Sequence, residues 1–233
     1  MRVLSIFGTR PEAIKMAPVV RELDKYRGQI ESVVCVTAQH RELLDQVLTL
    51  FDIKPDLDLD LMEENQSPAS FTARAMGALT EALEKVGPDL VLVQGDTTTA
   101  MVASLAAFYG QIPVGHVEAG LRTQSRYSPF PEEMNRRLLG ALATYHFAPT
   151  ERAAVALRRE GVPDELIFIT GNPVIDALRW ISSQTPAPET VRFLASLGLD
   201  AAGGDSRNGS RTLLVTAHRR ESFGEPLADS AAP

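Results

Sequence analysis

Two acidic residues that follow apolar runs in the middle of the chain are the first candidates for chemistry. Asp96 comes after the run 90–93, and Glu118 ends a second short run that begins at Pro113. Continuous apolar runs of this length are typical of parallel strands covered on both faces. Neighbouring strands lie about 4.8 Å apart, so we predict that both carboxylates lie at one edge of a sheet. Ligands of open α/β sheets bind at that edge, and carboxylates there can accept or donate protons.

Two cationic residues near the N-terminus form a second candidate group. The run 3–7 predicts a strand, and Pro11 and Glu12 after it suit the first turn of a helix. A helix N-terminus presents unpaired N–H groups that attract anions. Arg10 stands at this end and Lys15 about one turn further on, so we predict a phosphate or anion site. The alternative is two solvated basic residues on an ordinary helix.

Three further polar residues follow predicted strands and carry a weaker signal. Gln39 and His40 come after the strand predicted at 32–37, which hints at ligand contact. His218 comes after the strand predicted at 212–216 and precedes two arginines. We therefore predict that His218 faces an anion at a strand end.

An acidic pair, Glu132 and Glu133, opens a helix predicted to run to about residue 143. The helix dipole alone favours a carboxylate in the first turn, so one member of the pair can be structural. The connection before the pair, 119–131, is long for a compact unit, and such loops are usually functional or mobile. The sequence leaves open which of the two glutamates serves a site.

The first 175 residues alternate between strand-like and helix-like segments, apart from an irregular acidic connection at 52–66. This alternation predicts an α/β fold with a doubly wound parallel sheet, so we assign 1–175 to a Rossmann-like N-terminal domain. Residues 176–210 read as connecting helices and linker, because Pro, Ala, Gly and Ser are frequent there. Residues 211–233 begin a second Rossmann-like domain but cannot complete it, since one strand cannot bury its own faces. We therefore expect a fragment of a two-domain protein.

The composition excludes several classes of function. Apolar residues make up 44% and charged residues 23%, which is usual for a soluble globular protein. A net charge of −7 argues against nucleic acid as the main partner. No apolar run approaches the roughly 20 residues of a membrane span, and we predict no signal peptide. The single cysteine, Cys35, excludes an internal disulfide. We find no dinucleotide fingerprint, no P-loop and no metal motif, so we predict neither a cofactor nor a metal.

Seven segments of the chain together resemble one known family. They are GTRPEAIKMAP (8–18), TAQHRELLDQV (37–47), QGDTTTAMVASLAAFY (94–109), GHVEAGLRT (115–123), SPFPEEMNR (128–136), TGNPVIDAL (170–178) and TAHRRESFGEPL (216–227). In this order they resemble the non-hydrolysing UDP-N-acetylglucosamine 2-epimerases of bacteria. The resemblance implies a GT-B-like fold with the active site in a cleft between two domains. It also implies interconversion of UDP-GlcNAc and UDP-ManNAc in the cytoplasm, usually by a homodimer.

The mechanism of this family gives the candidate residues their implied roles. The family removes the hydrogen on sugar C2 together with UDP to give 2-acetamidoglucal, and then adds UDP back with the opposite configuration. This requires a carboxylate on either face of C2 and positive charge around the diphosphate. By resemblance, Asp96, Glu118 and Glu132 match the catalytic carboxylates. Residues matching those that hold substrate and stabilise the diphosphate are Arg10, Lys15 and His218.

The resemblance also points to regulation, and two other functions stay open. Gln39 and His40 match a region where some bacterial members bind a second, regulatory UDP-GlcNAc. A GT-B glycosyltransferase would share the cleft but would need an acceptor, and the set of three carboxylates is less expected there. A non-catalytic remnant would fold, with or without dimerising, and would catalyse no reaction.

Overall fold

The computed structural model describes residues 1–37, 41–63, 66–123 and 125–199. The chain divides into two compact units, Met1–Ser182 and Ser183–Pro233. The predicted start of a second Rossmann-like domain, 211–233, lies outside the described residues. In the second unit the described part contains one helix, Pro188–Ser196. None of the helices in the described ranges combines the length and the apolar character needed to cross a bilayer.

The first unit is built around one sheet of seven parallel strands. The strands are β1 (Arg2–Phe7), β2 (Glu31–Val36), β3 (Leu57–Asp58), β4 (Leu90–Gln94), β5 (Val114–Val117), β6 (Tyr145–Ala148) and β7 (Ile167–Ile169). Their order is β3-β2-β1-β4-β5-β6-β7, and every neighbouring pair is parallel. The order reverses between β1 and β4, as in a doubly wound sheet, which confirms the predicted fold class. Such a reversal opens a crevice at the carboxyl ends of the two strands.

In the described residues of the first unit, six helices connect these strands and a seventh follows the last strand. They are α1 (Arg10–Asp24), α2 (Arg41–Leu50), α3 (Pro68–Val86), α4 (Thr98–Tyr109), α5 (Glu132–Leu142), α6 (Glu151–Arg159) and α7 (Pro173–Ser182), and a 3₁₀ turn at Asp164–Leu166 precedes β7. Threonine hydroxyls cap three of them, because Thr9, Thr97 and Thr150 each accept a hydrogen bond from a backbone N–H in the first turn. This capping fixes where α1, α4 and α6 leave the sheet edge.

The core lies on both faces of the sheet, because alternate residues of the central strands point to opposite sides. Leu4 and Val91 pack in one cluster with α3 and α4. Val3 and Leu92 pack in the other with α1, α2 and α7. The first unit extends to Ser182 because α7 packs on α1. Burial on both faces explains why these strands read as continuous apolar runs in the sequence.

The two outer strands differ from the central ones. β3 lies within the connection that the sequence predicted to be irregular, so that prediction was wrong at Leu57 and Asp58. The alternation of leucine with aspartate explains the strand, since Leu57 and Leu59 pack against the core from one side. At the other end of the sheet, β7 is three residues long, and its Phe168 and Ile169 are 43% and 50% exposed.

Candidate active site

Asp96 and Glu118 lie at the same edge of the sheet, as the sequence predicts. β4 and β5 are neighbours, and Gln94 is in register with Val117. The N–H of Gly95 donates to the carbonyl of Val117 over 3.0 Å. A Cβ placed on Gly95 would lie 3.9 Å from Oε2 of Glu118. The Glu118 carboxylate therefore lies beside the turn that carries Asp96.

Glu118 is buried, and both of its carboxylate oxygens accept hydrogen bonds. Oε2 accepts from Nζ of Lys15 over 2.5 Å and from Nε2 of Gln94, while Oε1 accepts from Nδ2 of Asn172 over 2.7 Å. The residue itself has a φ of 65°, a left-handed conformation that is uncommon outside glycine. Three segments of the fold thus converge on one carboxylate.

The cationic pair of the sequence analysis is divided in the structure. Lys15 forms an ion pair with Glu118 and has a side chain that is 24% exposed. Arg10 is exposed and makes no hydrogen bond or ion pair with the described residues. The two cations lie about one helical turn apart near the start of α1. They differ in their hydrogen-bond and ion-pair partners. Arg10 is left available to a ligand, whereas Lys15 already belongs to the carboxylate cluster.

Asp96 is held by two residues of α5. Its Oδ2 accepts a hydrogen bond from Arg136 over 2.5 Å, and its backbone carbonyl accepts one from Nδ2 of Asn135 over 2.9 Å. The Asp96 side chain is 29% exposed, so it is both oriented and accessible. These contacts bring the first turns of α5, and with them Glu132, to the edge occupied by Asp96.

The two glutamates at the start of α5 have different environments. Glu133 is fully buried and accepts hydrogen bonds from the Thr123 N–H, Arg136 and Arg137. Burial alone would raise the pKa of Glu133, but these hydrogen bonds outweigh it and lower the pKa. In contrast, Oε2 of Glu132 is buried without a hydrogen-bond partner among the described residues. Glu133 is therefore committed to contacts within the fold, whereas Glu132 keeps one carboxylate oxygen without a partner among the described residues.

A cleft of about 290 Å³ lies next to Glu132. It is lined by residues from four segments of the chain, namely Thr9, Gln66, Ser67, Pro68, Phe71, Thr97, Thr98, Pro131, Glu132 and Asn135. The helix starts of α1, α3, α4 and α5 all border it. Its volume is near the lower end of the range for small-molecule sites.

Glu12 is a buried acidic residue of the site region that the sequence analysis did not single out as functional. Its Oε2 accepts hydrogen bonds from the N–H groups of Gly8 and Thr9 over 3.0 and 2.7 Å. Its Oε1 accepts from the hydroxyl of Thr97 over 2.6 Å. Burial raises the pKa of Glu12, although these hydrogen bonds act in the opposite direction. The spacing of Thr9 and Glu12 is that of a capping box and could have revealed this role.

The position of Glu12 corrects one expectation from the sequence. We expected the start of α1 to offer unpaired N–H groups to an anion, but Glu12 already occupies those of Gly8 and Thr9. The proline after Arg10 has no N–H to offer. An anion at this place must therefore be held mainly by side chains.

Two buried histidines lie below the carboxyl edge of the sheet, within the packed interior of the fold. His116 and His146 are side by side in the register of β5 and β6, and each is 1% exposed. The Nε2–H of His116 donates to the carbonyl of Gly95 over 2.7 Å. Burial lowers the pKa of His116 to about 4 and also lowers that of His146. His116 is thus neutral near pH 7 and supports the turn before Asp96.

Three candidate residues from the sequence lie outside the described residues. They are Gln39, His40 and His218. Their predicted contacts with a regulatory nucleotide sugar or a diphosphate stay predictions.

Comparison with known proteins identifies relatives along nearly the whole chain. The family model for UDP-N-acetylglucosamine 2-epimerase matches residues 21–231. The UDP-N-acetylglucosamine 2-epimerase of Salmonella typhimurium is 54% identical over 97% of this chain and 58% of its own length. A crystal structure of the Neisseria meningitidis enzyme bound to UDP-GlcNAc matches with 55% identity and a TM-score of 0.75, covering 84% of this chain and 51% of that one.

A more distant solved structure has the same fold. It is the UDP-GlcNAc 2-epimerase of Methanocaldococcus jannaschii in complex with UDP-GlcNAc and UDP, at 35% identity and a TM-score of 0.77 over 86% of this chain and 54% of that one. The chain spans slightly more than half the length of the curated relatives that it matches.

Proposed function

This chain belongs to the UDP-N-acetylglucosamine 2-epimerase family, and we propose that its carboxylate cluster serves the interconversion of UDP-GlcNAc and UDP-ManNAc. One observation carries the proposal. Asp96 and Glu118 follow neighbouring strands at one edge of the sheet, and Lys15 pairs with Glu118. Glu132 opens α5, the helix whose Arg136 holds Asp96. An inversion at a sugar carbon without a neighbouring carbonyl needs such carboxylates together with a cation for the leaving group.

The proposed reaction has two halves that mirror each other. In the first, a carboxylate takes the proton from C2, the C2–H electron pair becomes the C1–C2 double bond, and the bond from C1 to the diphosphate oxygen breaks. UDP and 2-acetamidoglucal result. In the second half, a proton reaches C2 from the opposite face while an oxygen of UDP bonds to C1 again. No electron is gained or lost overall, so no redox cofactor is required.

The environments of the carboxylates favour particular roles. Glu132 has an unpartnered Oε2 beside the cleft, which suits a group that must accept and return a proton. Glu118 has donors on both oxygens and holds Lys15, which suits a charged anchor at the other side of the site. Asp96 is oriented by Arg136 and is accessible. Arg10 and, by resemblance, His218 would then contact the diphosphate.

Deuterium incorporation tests the reaction directly. The 233-residue chain is incubated with UDP-GlcNAc in D₂O without added cofactor. A chimera that joins residues 1–227 to the remaining part of the Salmonella typhimurium relative is assayed in parallel. We expect the chimera to form UDP-ManNAc with deuterium at C2, which NMR and mass spectrometry would detect. Conversion without deuterium at C2 would rule out the elimination.

The same assay separates the alternative functions. Turnover that appears only when a sugar acceptor is added would indicate a glycosyltransferase. A non-catalytic remnant predicts no heat of UDP binding to the 233-residue chain in calorimetry, whereas the epimerase proposal predicts that this chain binds UDP.

Self-association is part of the proposal, and an apolar surface patch supports it. Phe108 and Tyr109 at the end of α4 are 58% and 69% exposed, and their ring centroids are 6.2 Å apart. A homodimer would cover such a patch. We expect Tyr109→Glu to shift the sedimentation coefficient from dimer to monomer. Tyr26→Glu, at a tyrosine that is 50% exposed on another helix end, is the matched control and should leave it unchanged.

A cytoplasmic location is also proposed. Cys35 is the only cysteine, and burial raises the pKa of its thiol to about 12, so it is an inert core residue. A protein without disulfides suits a reducing compartment. Fractionation of the source cells with an antibody to this chain tests the location, and recovery with the periplasmic or membrane fraction would contradict it.

A further inference from the structure

The Glu12 carboxylate lies between two turns that carry different parts of the proposed site. One turn joins β1 to α1, the helix that carries Arg10 and Lys15. The other joins β4 to α4 and carries Asp96. Glu12 is 1% exposed and hydrogen-bonds to both turns, through Gly8 and Thr9 on one side and through Thr97 on the other.

Capping of α1 does not explain the hydrogen bond between Glu12 and Thr97. In a capping box the glutamate reaches back to the N-cap backbone of its own helix. Glu12 does this with Oε2, but its Oε1 accepts from the hydroxyl of Thr97, a residue 85 positions away in the chain. Thr97 is in turn the N-cap of α4, because its oxygen accepts from the Ala100 N–H over 3.0 Å. One carboxylate therefore joins the starts of two helices.

Close packing around the two turns leaves them little freedom. A Cβ on Gly8 would lie 2.1 Å from Oγ1 of Thr37 and 2.8 Å from Oγ1 of Thr99. The two threonine hydroxyls are themselves 3.0 Å apart and hydrogen-bonded. The backbone before α1 and the first turn of α4 are thus in direct contact, and the Glu12 side chain spans them.

We propose that Glu12 is a positioning residue, which fixes the distance between the cationic start of α1 and the turn that carries Asp96. The proposal rests on the proposed function. Glu12 itself does not touch the reacting carbon in this account. It acts through the Thr97 hydroxyl on one side and the Gly8 and Thr9 amides on the other. Loss of the bridge would let the diphosphate-binding side chains and the proton-transfer carboxylate shift relative to each other.

Substitution of the bridge atoms separates positioning from capping. Glu12→Gln keeps the shape and one acceptor, but its NH₂ group would face the Thr97 oxygen, which already accepts from Ala100. Thr97→Val removes the hydroxyl from the other end, and Thr97→Ser restores it. Thr150→Val is the matched control, because Thr150 caps α6 in the same way through Ala153.

Kinetics of the chimera give the first readout. We expect kcat to fall about 10- to 100-fold in Glu12→Gln and Thr97→Val with KM within about threefold, since small misplacement of reacting groups has effects of this size. Thr97→Ser should regain most of the lost kcat. Thr150→Val should lower the melting temperature without changing kcat. A kcat within twofold of the parent chimera in both bridge variants, or no rescue by Thr97→Ser, would overturn the proposal.

Amide hydrogen exchange of the 233-residue chain gives a readout independent of activity. Glu12→Gln should accelerate exchange at residues 95–100 as well as at 8–13, whereas a purely local cap would affect 8–13 alone. That second pattern would overturn the bridge. An inactive parent chimera would count against the proposed function, and the exchange pattern would still decide whether Glu12 joins the two turns.

Discussion

Acidic side chains at the carboxyl edge of the sheet and those around α6 are chemically alike but lie in contrasting surroundings. At the edge, Glu118 has a side chain that is 7% exposed and accepts hydrogen bonds from three residues. Around α6, Glu151 and Asp164 both pair with Arg158, yet their side chains are 65% and 74% exposed. The ion-pair distances in the two regions are equally short.

The contrast shows that the contribution of an ion pair depends on how deeply it is buried and on how many donors converge on the carboxylate. The N–O distance alone does not determine it. Water screens the pairs around Arg158, so they contribute little. At the edge, a buried carboxylate that lost its donors would be left charged and unpaired, which is costly.

The largest expected effect comes from replacing the carboxylate of Asp96 at the carboxyl edge of the sheet. Asp96→Asn keeps the shape but removes the proton acceptor and the charged partner of Arg136. We expect kcat of the chimera to fall by about 10²- to 10⁴-fold, the usual contribution of a general acid or base. Asp164→Asn on the exposed surface is the control and should leave kcat unchanged. A near-normal rate in Asp96→Asn would remove this residue from the site.

The next largest effect is expected on stability, when a side chain is added at Gly8, where the turn before α1 packs against the start of α4. Gly8→Ala places a Cβ against two threonine hydroxyls, and we expect the free energy of unfolding to fall by about 1–3 kcal/mol, as for other overpacked positions. Gly77→Ala is the matched control, because nothing lies within 4 Å of its added Cβ. It lies inside α3 and should stabilise the chain slightly. Equal urea midpoints for the two variants would contradict the close packing.

His116, which is buried below the carboxyl edge of the sheet, is expected to make the free energy of unfolding depend on pH. The unfolded chain binds a proton on this ring below about pH 6.5, whereas the folded chain does so only near pH 4. The stability contributed by the neutral ring is therefore present above pH 6.5 and lost as the pH falls. We expect unfolding to require about 2 kcal/mol less at pH 5 than at pH 7 on account of this residue.

The variant His116→Gln isolates that contribution. Glutamine does not titrate, so urea unfolding of the variant should depend less on pH between 7 and 5 than that of the parent chain. His146 is unchanged in both proteins, so its own contribution cancels. Parallel pH profiles of the two proteins would show that burial does not shift the pKa of His116.

The smallest effect is expected on the surface. Arg158→Gln breaks both exposed ion pairs around α6. We expect no resolvable change in the urea midpoint and none in kcat, because solvent already screens these charges. A clear loss of stability would mean that the exposed pairs act as a network.

Much of this arrangement was readable from the sequence, because local patterns determine it. The apolar runs predicted the strands, and the strand-helix alternation predicted that their carboxyl ends share one edge. Asp96 and Glu118 could therefore be placed together without coordinates. Glu132 could be placed at the start of a helix, but the family resemblance, and not the local pattern, distinguished it from Glu133.

The pairings between side chains could not be predicted, because they join residues far apart in the chain. Lys15 was expected to face an anionic ligand beside Arg10, yet its partner is Glu118. Similarly, nothing in the capping box of α1 indicates that Glu12 also reaches Thr97. Composition and periodicity describe one segment at a time, whereas these contacts depend on how the segments of the sheet are ordered.

The outer strand β7 has a practical consequence for handling this chain. In the part of the chain that the structure describes, β7 pairs with β6 alone and exposes Phe168 and Ile169. An open strand edge can recruit the edge of another molecule, which leads to aggregation during concentration or storage. A lysine in place of Ile169 would block that route and keep samples soluble. Association that survives Ile169→Lys would then report on the patch at the end of α4 and not on stickiness of the open edge.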